Sequence, residues 1–112
     1  MENNLKVYPL KLSSEFSKIS RYGHRVRASG YLTLLILSSE DKKTYFGITA
    51  SKKVGNAVIR NKLKRWVRNC VQSEKWKFKY RGKKVVFMFR TQKDDFYYTL
   101  KYKEFFEIFD NE

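Results

Sequence analysis

Hydrophobic positions along the chain follow two different periods. Between Ala57 and Val71 they recur every three or four residues, which predicts an amphipathic helix. Segments 31–37, 44–50 and 84–89 are instead short, nearly continuous runs of apolar, β-branched and aromatic residues, typical of buried strands. The chain therefore combines helices with a sheet.

A first helix is predicted over residues 13–22. Phe16 and Ile19 lie three positions apart and share one face of such a helix. Either of the two serines at its start can cap it, and Gly23 can end it. A strand over 24–28 then precedes the strand at 31–37.

The polar stretch 38–43 separates the runs 31–37 and 44–50, and its composition is that of a turn. These two runs are therefore predicted to form a hairpin. No repeat, low-complexity tract or long linker interrupts the sequence.

The end of the chain predicts a final helix, with Asp94 or Asp95 as its cap. Aromatic residues recur there at spacings of four, three and four, which places them on one helical face. These residues are Tyr98, Tyr102, Phe105 and Phe109.

The predicted order is α-β-β-β-α-β-α. It indicates an α/β (α+β) two-layer sandwich, in which helices pack against one mixed sheet. The length of 112 residues suits a single domain spanning residues 1–112.

Charge narrows the class of partner. The chain has 25 Lys and Arg against 11 Asp and Glu, a formal net charge of +14. No acidic residue lies between Asp41 and Glu74. Because such self-repulsion destabilises a compact fold, the basic region predicts a polyanionic partner.

The helix over 57–71 divides into an apolar and a cationic side. Its apolar stripe consists of Ile59, Leu63, Trp66, Val67 and Cys70. Arg60, Asn61, Lys64, Arg65 and Arg68 cover the other side. A merely solvated face usually mixes charge signs, whereas this helix has no acid. Since arginine binds phosphate oxygens bidentately, we interpret the cationic side as a docking surface.

The start of this helix adds Lys52 and Lys53, which place cations at the positive end of the helix dipole. Gly55 offers backbone freedom and Asn56 a helix cap. The candidate binding residues are thus Lys52, Lys53, Asn56, Arg60, Asn61, Lys64, Arg65 and Arg68.

Few residues suit other chemistry. Cys70 is the only cysteine and His24 the only histidine, which argues against a disulfide and against the usual zinc sites. No catalytic constellation is evident within the protein. The longest apolar run is far shorter than a membrane span, and we expect a cytoplasmic protein without a membrane anchor.

Residues 51–68, reading SKKVGNAVIRNKLKRWVR, resemble the signature segment of the bacterial ribonuclease P protein component. Weaker similarity extends over most of the chain. It includes Leu12, Phe16 and Gly23 in the first helix and Arg90 after the last strand.

The resemblance implies a left-handed βαβ crossover and a subunit of a ribonucleoprotein endonuclease. The partners would be ribonuclease P RNA, which carries the catalytic chemistry with Mg²⁺, and precursor tRNA, with no small-molecule substrate. The helix over 57–71 would bind the RNA. Phe16 and Arg90 would line a cleft for the 5′ leader.

The chain departs from the family pattern at Ser20 and at Leu34 or a neighbouring strand residue, where aromatic residues are usual. Tyr22, Tyr31 or Tyr45 are candidates for the missing ring, since base stacking requires an exposed aromatic face.

Two other functions are compatible with a basic helix. One is a non-catalytic, ribosome-associated or structural RNA-binding module. The other is a DNA-binding protein that inserts this helix into the major groove, although the flanking strands disfavour a helix-turn-helix.

Overall fold

The computed structural model describes residues 6–93 and 95–110, which form five strands and five helices. The strands are β1 (Val7–Pro9), β2 (His24–Arg27), β3 (Leu32–Ser38), β4 (Thr44–Thr49) and β5 (Lys83–Phe89). The helices are α1 (Ser13–Tyr22), α2 (Ala57–Val71), α3 (Glu74–Lys79), α4 (Phe96–Thr99) and α5 (Tyr102–Asp110).

The strands form one mixed sheet in the order β1-β4-β5-β3-β2. β1, β4 and β5 are parallel, whereas β3 runs antiparallel to both β5 and β2. The helix α2 lies in the connection between the parallel strands β4 and β5. This is the crossover for which the family resemblance predicts left-handedness.

The predicted hairpin between the runs 31–37 and 44–50 is wrong. β5 lies between β3 and β4 and pairs with both. The turn instead closes around the start of β5, because Ser39 N–H donates to the Gly82 carbonyl at 2.9 Å and Gly82 N–H donates to Thr44 Oγ1 at 2.9 Å. β5 suits the centre of the sheet since it carries apolar side chains on both faces.

Alternating residues of β5 enter two separate cores. Val85, Phe87 and Phe89 belong to the larger core, which also contains buried residues of α2, α3 and α5. Val86 packs with Ile19 of α1 in the smaller core on the opposite face, where Met88 also packs. The predicted fold class, a mixed sheet with helices packed against it, is confirmed.

The bounds of α1 match the predicted helix, but its cap differs. Leu12 occupies the N-cap position and no side chain caps the helix. Both serines, Ser13 and Ser14, already lie inside the first turn. The Leu12 carbonyl accepts from Glu15 N–H at 3.0 Å, which closes this turn through the backbone alone.

The predicted final helix is divided into α4 and α5. α4 ends at its C-cap Leu100, whose backbone is extended. Lys62 of α2 lies at this break, where its ammonium group donates to the Tyr97 carbonyl at 2.6 Å and lies 3.4 Å from the Leu100 carbonyl. These carbonyls are at the C-terminal end of α4, where a cation is favourable. Because Tyr98 lies in α4, it does not share a helical face with the core residues of α5, and its side chain is 70% exposed.

The predicted caps of this final helix are not confirmed. Asp95 occupies the N-cap position of α4 without a side-chain hydrogen bond, and Asp94 lies outside the described residues.

Acid stability is expected to depend on Asp41. Its carboxylate accepts hydrogen bonds from the Ser39 and Tyr45 hydroxyls, both at 2.5 Å, and from Lys43 N–H at 2.9 Å. These bonds hold the pKa of Asp41 well below its ordinary value of 3.8. Because the folded-state pKa is the lower one, their stabilisation is present above about pH 4 and is lost at lower pH.

We therefore expect Asp41→Asn to flatten the decline in the free energy of unfolding between about pH 5 and pH 2. Urea unfolding across this range measures the change. Glu40→Gln is the matched control, since the Glu40 carboxylate is 86% exposed and lies 3.8 Å from Lys18. Equal slopes for the wild type and Asp41→Asn would contradict the assignment.

Candidate nucleic-acid interface

The two predicted sides of α2 are present in the structure. The apolar stripe is buried in full: Ile59, Leu63, Trp66, Val67 and Cys70. Val71, at the end of the helix, is buried as well. Because the sheet holds this side, the opposite side faces solvent in a fixed orientation.

The cationic side of α2 is not uniform. Asn61, Arg65 and Arg68 are exposed, whereas Arg60 and Lys64 are half-buried. Arg60 Nε donates to the Gly55 carbonyl at 3.1 Å, so this side chain also ties the helix to the preceding loop. Arg65 and Arg68 are therefore the candidates most available to phosphates.

The loop before α2 sets the position of two further cations. Lys52 and Lys53 are exposed in a turn whose next residue, Val54, is buried. Gly55 permits close approach, since a Cβ at this position would lie 2.7 Å from Ile59 Cβ. The turn thus places both lysines beside the N-terminus of the helix.

Asn56 has a structural role that the sequence predicted. Its side-chain oxygen accepts from Ile59 N–H at 3.0 Å, the geometry of an N-cap. The oxygen is thereby engaged within the protein, and the proposed contact of Asn56 with a polyanion stays a prediction.

Asn56→Ala is expected to lower the free energy of unfolding by about 1 kcal/mol, because the first turn loses this cap. Urea denaturation measures the loss. Asn56→Asp is the control, since its carboxylate retains the cap and should keep most of the stability. A loss of the same size in both variants would show that the cap is not the cause.

A cleft of about 850 Å³ lies between α1 and the sheet. Its lining includes Phe16, Ser20, Tyr22, Thr49, Val86 and Met88. The cleft adjoins the smaller core, where Phe16 is half-buried. An apolar floor with one partly open aromatic ring can receive a planar base.

Gly47 of β4 allows Phe16 to approach the sheet. A Cβ on Gly47 would lie 2.7 Å from two atoms of the Phe16 ring and 3.0 Å from Leu10 Cδ1. A side chain at this position would therefore displace the ring. The absence of a side chain at Gly47 therefore allows the Phe16 ring to lie directly against the backbone of β4.

The three tyrosines considered for the missing ring have different surroundings. Tyr22 is 66% exposed and lines the cleft. Tyr31 packs against Phe96 and Tyr97, with ring centroids 5.1 and 5.9 Å away. Tyr45 contacts Tyr8 at 5.8 Å and donates to Asp41. Of these three tyrosines, Tyr22 is the one that lines the cleft together with Phe16.

The two leucines at the departure from the family pattern on β3 have different surroundings. Leu34 points into the larger core, whereas Leu35 lines the cleft. Met88 also lines it, and the sequence analysis did not single this residue out. The alternation of side chains along the strand 84–89 could have identified it, because successive residues point to opposite faces and Met88 follows the core residue Phe87.

Arg90 follows β5 and has an exposed side chain. Its backbone is fixed at both ends, because its N–H donates to the Tyr31 carbonyl at 2.9 Å and its carbonyl accepts from the Tyr97 hydroxyl at 2.5 Å. Burial raises the pKa of Tyr97, so this hydroxyl remains a donor at neutral pH. Arg90 therefore projects from a rigid point two residues beyond Met88.

Cys70 is buried, and burial raises the pKa of its thiol to about 12. Among residues 6–93 and 95–110, no group of three or more His, Cys, Asp and Glu side chains is placed to hold a metal ion. Within the same ranges, no helix combines the length and apolarity needed to cross a membrane.

The family model named Ribonuclease P matches residues 5–111, almost the whole sequence. The chain belongs to the ribonuclease P protein family. The resemblance seen in residues 51–68 is thereby confirmed over a much longer stretch.

Curated ribonuclease P protein components show similarity over a shorter region. The protein of Desulforapulum autotrophicum is 48% identical over 64 residues, which cover 57% of this chain and 54% of the relative. That of Staphylococcus aureus strain Mu3 is 38% identical over 63 residues, covering 56% and 55%. The match thus spans about half the length of these relatives.

Solved structures share the fold over almost the full chain. The ribonuclease P protein of Thermotoga maritima superposes with a TM-score of 0.76 at 25% identity and covers 92% of both chains. A Staphylococcus aureus ribonuclease P protein has a TM-score of 0.76 at 24% identity, covering 95% of this chain and 92% of that one.

Proposed function

We propose that this chain is the protein subunit of a ribonuclease P ribonucleoprotein. It binds the catalytic RNA through α2 and the 5′ leader of precursor tRNA through the cleft beside α1. The observation that carries the proposal is the acid-free cationic side of α2, held outward by a fully buried apolar stripe. Family membership supports the same assignment.

In this proposal the protein binds and positions, while the RNA subunit carries the chemistry with Mg²⁺. Cations on α2 and aromatic rings in the cleft support a binding role for the protein. The complex would act in the cytoplasm on precursor tRNA, without a small-molecule substrate or a membrane.

The two binding surfaces have different roles. Arg65 and Arg68 are placed to bind phosphates of folded RNA, with Lys52 and Lys53 at the helix start. The cleft is suited to unpaired nucleotides, because Phe16 and Tyr22 offer aromatic faces for stacking. An unpaired leader attached to a structured tRNA fits such a cleft.

Reconstitution tests the proposal. The chain is mixed with a bacterial ribonuclease P RNA at low Mg²⁺, and cleavage of a 5′-labelled precursor tRNA is followed with and without protein. We expect the protein to accelerate cleavage at the mature 5′ end. A reaction without RNA subunit is the control, and no acceleration by the chain would overturn the proposal.

RNA recovered with the chain provides a second readout. Ribonuclease P RNA among the copurifying species supports the assignment. Ribosomal RNA alone, together with no effect on precursor cleavage, would instead indicate a ribosome-associated RNA-binding module.

A further inference from the structure

The short helix α3 carries an exposed aromatic residue that the core does not use. Trp76 and Tyr80 are buried, and their ring centroids lie 4.8 Å apart. Phe78, between them in sequence, points the other way and is 66% exposed. Most of the surface of this ring is therefore open to a partner molecule.

A cation is held directly against this ring. The Arg81 guanidinium carbon lies 4.8 Å from the centroid of Phe78, within the range of a cation–π contact. Arg81 is itself exposed and follows α3 by two residues. The contact fixes a guanidinium group beside a ring that is still largely open to solvent.

The surroundings of Phe78 are strongly basic. Glu74, in the first turn of α3, is the only acidic residue between Asp41 and Asp94 in the sequence. Six cations lie within residues 75–84, namely Lys75, Lys77, Lys79, Arg81, Lys83 and Lys84. Lys84 forms an ion pair with Glu15 at 2.8 Å, and Lys83 Nζ donates to the Ser38 hydroxyl at 3.2 Å. Lys84 is thus paired with α1 on the other face of the sheet, and the charge close to Phe78 comes from Lys75, Lys77, Lys79 and Arg81, against the single acid Glu74. This excess of positive charge attracts anions to the surface around α3.

We propose that Phe78 and Arg81 form a second RNA contact, which binds an unpaired nucleotide of the catalytic RNA. The base stacks on the open part of the Phe78 ring, and the Arg81 guanidinium binds a neighbouring phosphate. The inference rests on the proposed function and extends it to α3, at the opposite end of α2 from Lys52 and Lys53.

The chemistry of the patch favours RNA as the occupant. One ring among cations offers too little apolar area for a protein interface, whose buried centre is depleted of charge. A base with its phosphate matches both groups, because any base can stack and arginine binds phosphate bidentately. Stacking also selects unpaired nucleotides over duplex.

The test measures dissociation constants of the full chain for ribonuclease P RNA alone, without tRNA. We expect Phe78→Ala to weaken binding about 5- to 100-fold, the loss associated with one base–aromatic stack. Phe78→Trp should retain the affinity because it retains the ring. Tyr98→Ala is the matched control, since Tyr98 is a similarly exposed aromatic residue on another helix.

The salt dependence tests the second half of the contact. Arg81→Ala should make the slope of log affinity against log salt shallower by roughly 0.7 to 0.9, the effect of one lost phosphate contact. Arg81→Lys should restore the slope. Thermal melting of each variant verifies that the fold is intact.

The outcomes separate this inference from the proposed function. Wild-type chain that binds the RNA, with Phe78→Ala binding equally well or losing no more than Tyr98→Ala, would overturn the α3 contact alone. Wild-type chain that fails to bind ribonuclease P RNA would overturn the proposed function and the α3 contact together.

Discussion

Replacing Arg65 and Arg68 together by alanine is expected to weaken binding of ribonuclease P RNA by at least about 100-fold, because two contacts are lost and hydrogen bonds to charged groups contribute roughly 1.5–3 kcal/mol each. Both side chains are exposed on the side of α2 that faces away from the core. Binding measured by titration at several salt concentrations should show both a lower affinity and a changed salt dependence.

For the wild-type chain, five phosphate contacts would give a slope of log affinity against log salt of roughly −3 to −5. The double variant should be shallower by roughly 1.4 to 1.8, since two contacts are lost. Its stability should stay within about 0.5 kcal/mol of the wild type, as is usual for surface substitutions.

The matched control removes the same charge elsewhere. Lys93 and Lys103 are exposed and lie outside α2, so Lys93→Ala with Lys103→Ala lowers the net charge equally. An equal loss of affinity in this control would show that total charge, rather than the α2 surface, attracts the RNA. Unfolding of the Arg65 and Arg68 variant would assign these residues to packing instead.

Phe16→Ala is expected to reduce the preference of the reconstituted complex for precursor tRNA over mature tRNA by about 5- to 100-fold, because a stacking surface for the leader is lost. Affinity for the RNA subunit alone should be unchanged, since α2 is on the other face of the sheet. Phe16→Trp retains an aromatic ring and should retain the preference.

Gly47→Ala separates the position of the Phe16 ring from its presence. The new Cβ would lie 2.7 Å from the ring, which must move. We expect this variant to lose stability and part of the precursor preference. In the Phe16→Ala background, Gly47→Ala should cost less of both, because the clash with the ring is gone and only the contact with Leu10 at 3.0 Å remains. Additive effects in the double variant would show that the two residues act independently.

The helix α2 was predictable from the sequence because the spacing of its apolar residues alone determines a helix. The predicted helix over 57–71 has the observed bounds, since an uninterrupted apolar stripe and Asn56 as cap act on the same segment. Its exposed cations follow from the same period. The exposure of Arg65 and Arg68 was therefore predictable, whereas the internal bond of Arg60 to Gly55 was not.

Contacts between distant segments were not predictable in this way. The run 84–89 indicates a buried strand, but nothing in its own residues states that it separates β3 from β4. At the division between α4 and α5, Lys62 of α2 bonds to carbonyls 35 and 38 residues further along the chain. The helical spacing of Tyr98 and Tyr102 predicted one continuous helix and could not reveal this contact with Lys62.

The cleft was predicted only through family resemblance. Phe16 was named, whereas Tyr22 was one of three alternatives and Met88 was absent. Which tyrosine faces the cleft depends on how α1 crosses the sheet, and this depends on Gly47. The contact between Gly47 and the Phe16 ring joins two distant segments, so no periodic pattern in the sequence predicts it.

The central position of β5 also has a consequence for folding kinetics. Both of its neighbours, β3 and β4, precede the whole of α2 in the chain, so the two halves of the sheet join only after β5 has been synthesised. Pairings between such distant segments are slow to form. The cationic helix α2 therefore leaves the ribosome before the sheet that orients it is complete. At that stage the edges of β3 and β4 that later pair with β5 are unpaired, while the cations of α2 are already exposed.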